Sequence, residues 1–65
     1  MYKANKEKFA LINQRALART VGMSFEAINR IINGKQLTSK TTAYCIVKSI
    51  HPEAEIDDYF KKEGE

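Results

Sequence analysis

Residues 14–34, QRALARTVGMSFEAINRIING, decide how this chain folds. The stretch predicts two short helices joined by a tight turn. Leu17 and Ala18 share one face of the first helix. Gly22 stands where the chain must leave helical backbone angles, and glycine adopts a positive φ there without a Cβ clash. Ser24 follows as an N-cap, because its hydroxyl can accept a hydrogen bond from a free N–H in the next turn.

The second helix of this stretch has two chemically distinct faces. Ile28, Ile31 and Ile32 recur at helical spacing and form an aliphatic stripe. A helix with such a stripe and a hydrogen-bonding outer face, held at a fixed angle by its neighbour, can read base edges in the DNA major groove. The pattern therefore predicts a helix-turn-helix. Its outer face carries Phe25, Glu26, Asn29, Arg30 and Asn33.

The spacing within this motif has a physical basis. Ala18 faces the point where the two helices cross, and a larger side chain there would push the axes apart. Met23 can fill the corner between the helices because its side chain is flexible. We therefore expect a motif core of Leu17, Ala18, Gly22, Met23, Ile28 and Ile31.

Length and composition favour a single small intracellular domain spanning residues 1–65. The sequence has no transmembrane run and no signal-peptide pattern, so we expect a cytoplasmic location. One His and one Cys cannot form a zinc site unaided, and Cys45 is expected to be a small core or boundary residue. With no phosphate-binding glycine loop and no nucleophile–base pair, we expect neither an enzyme nor a cofactor or small-molecule ligand.

Charge is distributed unevenly along the chain. Residues 1–50 hold nine Lys or Arg against two acids, a net charge of +7. Residues 51–65 hold six acids against two Lys, a net charge of −4. The basic body suits a polyanion, and the acidic tail is expected to point away from it. Lys3, Lys6 and Lys8 form either a basic arm or a solvated terminus.

The remaining pattern predicts an all-α fold of four to five helices around the helix-turn-helix. Its first helix runs over residues 5–13 with Phe9, Leu11 and Ile12 as apolar residues. Asn13 caps the second helix, the third covers residues 25–33, and the fourth covers residues 40–50 behind a Ser39 cap. Pro52 breaks the chain and starts a short fifth helix, and residues 61–65 are expected to fray.

The helix-turn-helix resembles that of the Cro/C1-type (Xre-like) family of phage and bacterial transcriptional regulators, a likeness that covers roughly residues 5–50. The resemblance implies a compact four- to five-helix domain with a lambda-repressor-like helix-turn-helix, which binds DNA operators, commonly as a two-fold dimer. The chain departs from the family in its short first helix and in the aromatic Phe25. The residues that carry the resemblance are Gln14, Leu17-Ala18, Gly22-Met23-Ser24, Ile28, Arg30-Ile31 and Asn33-Gly34-Lys35.

The chemistry of single side chains suggests individual roles on DNA. Arg30 can pair with guanine O6 and N7, Glu26 can accept from cytosine N4, and Phe25 either meets a thymine methyl or folds into the core. The resemblance implies base contacts for Phe25, Glu26 and Arg30, with Gln14, Asn33 and Lys35 near the DNA backbone. The expected base contacts are Phe25, Glu26, Asn29 and Arg30. The expected phosphate contacts are Gln14, Ser24, Asn33, Lys35, Lys40 and Thr41.

The sequence thus favours a sequence-specific regulator that binds a palindrome-like double-stranded DNA operator as a homodimer, in a phage or mobile element. Ile56, Tyr59 and Phe60 either cap the domain or border the dimer contact. Two alternatives remain: an excisionase-like architectural DNA-binding factor, and a protein-interaction module of the antirepressor or antitoxin kind.

Overall fold

The computed structural model describes residues 1–63 and contains three α-helices framed by two short strands. One 3₁₀ turn follows the first strand, at Lys6–Phe9, and another precedes the second, at Ile56–Asp58. The elements in chain order are β1 (Tyr2–Ala4), α1 (Gln14–Val21), α2 (Phe25–Ile32), α3 (Lys40–Ile50) and β2 (Phe60–Lys62).

Each of the three helices begins at a polar side chain that caps it. The first N–H groups of a helix have no partner within the helix, so a side-chain oxygen just before it stabilises the first turn. α1 ends at Gly22, whose φ of 76° is left-handed and whose N–H donates to Ala18. The cap oxygens accept backbone N–H groups in three pairs: Asn13 from Ala16, Ser24 from Ala27, and Ser39 from Thr42.

The two ends of the chain meet in an antiparallel pair of strands. β1 pairs with β2 in a register that sets Lys3 opposite Lys61 and Ala4 opposite Phe60. Tyr2 also exchanges two backbone hydrogen bonds with Thr38, at 2.7 and 2.9 Å between nitrogen and oxygen. β1 therefore ties the carboxyl end of the chain to the loop between α2 and α3.

One hydrophobic core lies between the helices and this sheet. Phe9 is 2% exposed, and its ring lies 5.3 Å from that of Tyr59 and 5.6 Å from that of Phe60. The helices contribute aliphatic side chains from their inner faces. The largest fully buried side chains are Phe9, Ile28, Ile31, Ile32, Ile46 and Val47.

The prediction of an all-α domain with four to five helices is wrong. The segment expected to be the first helix, residues 5–13, forms only the 3₁₀ turn at Lys6–Phe9, preceded by β1. Asn5 caps this turn through Glu7, but the apolar residues do not share a helical face. Phe9 is buried, while Leu11, which follows the turn, is fully exposed.

The predicted fifth helix is also wrong. Of the residues expected to fray, Lys61 and Lys62 lie in β2. After α3 the chain turns at His51, whose carbonyl accepts from Ala54, and it becomes only a 3₁₀ turn at Ile56–Asp58. Phe60 is then buried as part of β2, because its pairing with β1 satisfies the backbone and fills the core. Gly64 and Glu65 lie outside the described residues.

Cys45 is exposed on α3, so the prediction of a core or boundary position is wrong; its neighbours Ile46 and Val47 occupy the buried face instead. Within residues 1–63, none of the helices has the length and apolar character needed to cross a membrane.

Candidate nucleic-acid interface

The α1–turn–α2 pair fixes the direction of α2. Leu17 and Ala18 on α1 are buried with Ile28 and Ile31 on α2. The N–H of Met23 donates to Ala18, and the half-buried Met23 side chain packs against the core. This packing holds the outer face of α2 at a fixed angle to α1.

The four residues expected to contact bases lie on the part of α2 that is turned away from the core. Glu26 and Arg30 are exposed, and Phe25 and Asn29 are half-buried. Glu26 stands in the first turn, where a carboxylate is favoured by the helix dipole. The outer face therefore offers one anionic acceptor, one cationic donor, one amide and one aromatic ring.

A hydrogen bond between side chains links α2 to the start of α1. Nδ2 of Asn29 donates to Oε1 of Gln14 across 2.9 Å. Nδ2 of Asn33 donates to the backbone oxygen of Asn29 at 2.8 Å. The Gln14 amide nitrogen and the Asn29 amide oxygen are not used in these bonds, so this pair presents a donor and an acceptor in a fixed arrangement.

Phe25 lies at the surface rather than in the core. The guanidinium carbon of Arg15 is 4.5 Å from the centre of its ring, a cation–π distance. Arg15 belongs to α1 and Phe25 is the first residue of α2, so the stack places a positive charge beside the start of α2.

Arg30 is held by the loop that follows α2. Its Nε donates to Oε1 of Gln36 across 3.0 Å. Gly34, with a φ of 75°, turns the loop back, and the N–H of Lys35 donates to the backbone oxygen of Arg30. The bond to Gln36 uses Nε and leaves the two terminal guanidinium nitrogens for a bidentate acceptor.

The residues expected to contact phosphates do not form one group. Gln14 begins α1, whereas Ser24 and Asn33 flank α2. The Ser24 oxygen already accepts a hydrogen bond as the α2 cap, and Lys35 lies in the loop that follows. Thr41 and Lys40 are exposed at the start of α3, and Lys40 lines a cavity of about 310 Å³ with Tyr2, Tyr44 and Asp57.

The residues considered for a dimer contact pack onto their own domain. Ile56 and Tyr59 are half-buried against the core, and Phe60 is only 3% exposed. Phe60 therefore has almost no side-chain surface to offer a second copy.

Two contributors to this surface, Arg15 and Gln36, were not anticipated from the sequence. Arg15 stacks on a residue of the next helix, and Gln36 bonds to a residue six positions earlier. The Asn33-Gly34 helix stop is the sequence feature that could have indicated a loop returning towards Arg30.

In the part of the chain that the structure describes, no group of His, Cys, Asp or Glu side chains could hold a metal ion.

Comparison with known proteins finds no family model, curated protein or solved structure that matches the chain.

Proposed function

We propose that this chain is a sequence-specific double-stranded DNA-binding protein that regulates transcription as a Cro/repressor-like operator binder. The observation that carries the proposal is the outer face of α2, where Gln36 holds Arg30 and Gln14 holds Asn29. A side chain fixed before binding loses less conformational entropy when it meets its target. Polar groups held in this way on an exposed helix suit the reading of base edges.

The charged groups on and beside this face have separate roles in the proposal. Arg30 donates through its terminal nitrogens to guanine O6 and N7, the commonest specific contact in the major groove. Glu26 accepts from cytosine N4 and repels nearby phosphates, so it selects more than it adds affinity. Arg15, Gln14 and Lys35 supply contacts to phosphates that fix the register of the helix on the duplex.

The size of the reading surface favours operator binding by two copies. α2 has eight residues and reaches only a few base pairs. Two copies on a palindrome-like site, with their α2 helices in major grooves about 34 Å apart, double the number of bases read. A bound dimer over a promoter would exclude RNA polymerase.

Selection from a random-sequence duplex library at two salt concentrations tests this proposal. We expect enrichment of an inverted repeat with half-sites about one helical turn apart. The Arg30→Ala variant should enrich a site with relaxed preference at one position of each half-site. Binding without enrichment would favour an architectural factor, and the absence of binding at low salt would overturn DNA binding and favour a protein partner.

A further inference from the structure

The terminal sheet carries two lysines that face each other. Lys3 on β1 is directly opposite Lys61 on β2. Both are exposed, while the next pair, Ala4 with Phe60, is buried. Since side chains alternate between the two faces of a strand, Lys3 and Lys61 share the outer face of the sheet. Like charges directly opposite on a sheet destabilise it, and a bound anion would relieve that repulsion.

Lys3 also lies against the loop that follows α2. Its Cε is 3.2 Å and its Cγ 3.9 Å from the position that a Cβ on Gly34 would occupy. Because Gly34 has no side chain, the aliphatic part of Lys3 can pass this close to the loop. The next residue, Lys35, is exposed. Three lysines from three separate segments therefore border one surface.

The loop that carries Lys35 adjoins the carboxyl-terminal end of α2, where Arg30 lies. Lys35 donates its N–H to Arg30, and Gln36 accepts from the Arg30 side chain. The two hydrogen bonds between Tyr2 and Thr38 fix the sheet against the same loop. We call the surface formed by Arg30, Lys35, Lys3 and Lys61 the basic strip.

Acidic residues lie on both sides of the sheet. Glu63 follows β2, and by the same alternation it belongs to the outer face with Lys61, where its backbone N–H donates to Met1. Glu55 and Asp57 line a cavity together with Tyr2, which precedes Lys3 and therefore points to the opposite face of β1. Glu53 and Asp58 line a separate cavity. Lys61, although it belongs to the acidic part of the sequence, thus shares the outer face with Lys3, and Glu55 and Asp57 lie towards the opposite face.

We propose that Lys3 and Lys61, together with Lys35, bind phosphates of the DNA backbone that flanks the bases read by α2. The inference rests on the proposed function and extends the binding surface to the paired chain ends. Lysine ammonium groups act as point charges without a fixed geometry, which suits phosphates and carries no base information. The contact strengthens binding to every duplex alike.

The test measures affinity for a fluorescent duplex against salt concentration, for the wild type and single variants. Lys3→Ala and Lys61→Ala should each reduce the slope of log affinity against log salt by about one unit. Lys61→Arg, which keeps the positive charge, should have the same slope as the wild type. Lys8→Ala is the matched control, because Lys8 lines a cavity with Glu53 and Asp58, and its slope should equal that of the wild type.

The outcomes separate this inference from the function on which it rests. Unchanged slopes for Lys3→Ala and Lys61→Ala, with Arg30→Ala still weakening binding, would overturn the basic strip alone. An equal loss of slope in Lys8→Ala would also overturn it, since any lysine would then suffice. If the wild type binds no duplex at low salt, both proposals fail. Thermal unfolding of each variant verifies that the sheet has formed.

Discussion

Asn29 on α2 donates its side-chain N–H to Gln14, the first residue of α1, across 2.9 Å. The bond joins the middle of the proposed reading helix to the point where the preceding helix begins. It complements the apolar contacts of the two helices with a polar contact at their outer edge. On DNA, the same pair would connect a base contact to a backbone contact, so that the two side chains act as a unit.

A double-mutant cycle tests this coupling. We expect Gln14→Ala and Asn29→Ala to lower DNA affinity non-additively, with an interaction energy of about 0.5–3 kcal/mol. Each substitution removes the hydrogen bond that orients the other side chain. Fluorescence anisotropy with the enriched duplex measures it. Gln14→Ala combined with Ser49→Ala is the control, since Ser49 bonds to Cys45 within α3 and should be additive. Additivity in the first pair would show that Gln14 and Asn29 act independently.

Gln36 should affect DNA binding only through Arg30. Gln36→Ala is expected to weaken binding to the enriched site by about 0.5–1.5 kcal/mol, since it removes one hydrogen bond that orients the guanidinium. Arg30→Ala should cost about 1–3 kcal/mol and relax one base preference. In the Arg30→Ala background, Gln36→Ala should have no further effect, and a further loss there would show that Gln36 contacts DNA itself.

The turn between α1 and α2 depends on the backbone of Gly22. A Cβ at this position would meet nothing within 4 Å, so any loss of stability comes from the φ of 76° alone. We expect Gly22→Val to lower the free energy of unfolding by about 1–2 kcal/mol or more, since a β-branched residue tolerates this region poorly. Gly22→Asn should lower the free energy of unfolding by less than Gly22→Val does. Urea unfolding measures both, and a Val variant as stable as the wild type would rule out this turn.

The carboxyl end should be essential for folding. Phe60→Ala removes a ring that is 3% exposed and contacts Phe9, a change that typically costs about 3–5 kcal/mol. Domains of this size often have only about that much stability in total, so the variant should be largely unfolded by circular dichroism. Leu11→Ala, at a fully exposed residue, is the control and should leave the melting temperature unchanged. A well-folded Phe60→Ala variant would mean that β2 is dispensable.

The helices could be predicted from the sequence because their determinants are local. Asn13, Ser24 and Ser39 each cap a helix within three residues of themselves, and Gly22 ends α1 by its own backbone freedom. These interactions depend on near neighbours, so they are visible in the order of residues.

The strands could not be predicted in this way. Tyr2–Ala4 pairs with Phe60–Lys62, at the other end of the chain, and three-residue strands have too little alternation to be recognised. The local pattern assigned no element to residues 2–4 and a short helix to the segment around Phe60, and the tertiary pairing of the two strands overrode it. The position of Lys61 beside Lys3 could not be predicted for the same reason, since the two residues are neighbours only when the sheet has formed.

The residues of the proposed site that share one helix could be predicted, and their partners from other segments could not. Helical spacing alone placed Glu26, Asn29 and Arg30 on one outer face. The partners that hold this face come from other segments: Gln36 from the next loop and Arg15 from the previous helix. Such contacts depend on the angle between the helices and on the path of the loop, neither of which is encoded within a few residues.

Mapping the DNA contact on the isotope-labelled chain by NMR tests the central claim most directly. Titration with the enriched duplex should shift the backbone amide signals of residues 25–30 and 33–36 and of the first turn of α1. The signals of Leu11 and of the exposed side of α3 around Cys45 should stay in place. Shifts confined to those latter residues, or no shifts at low salt, would contradict DNA recognition by the outer face of α2.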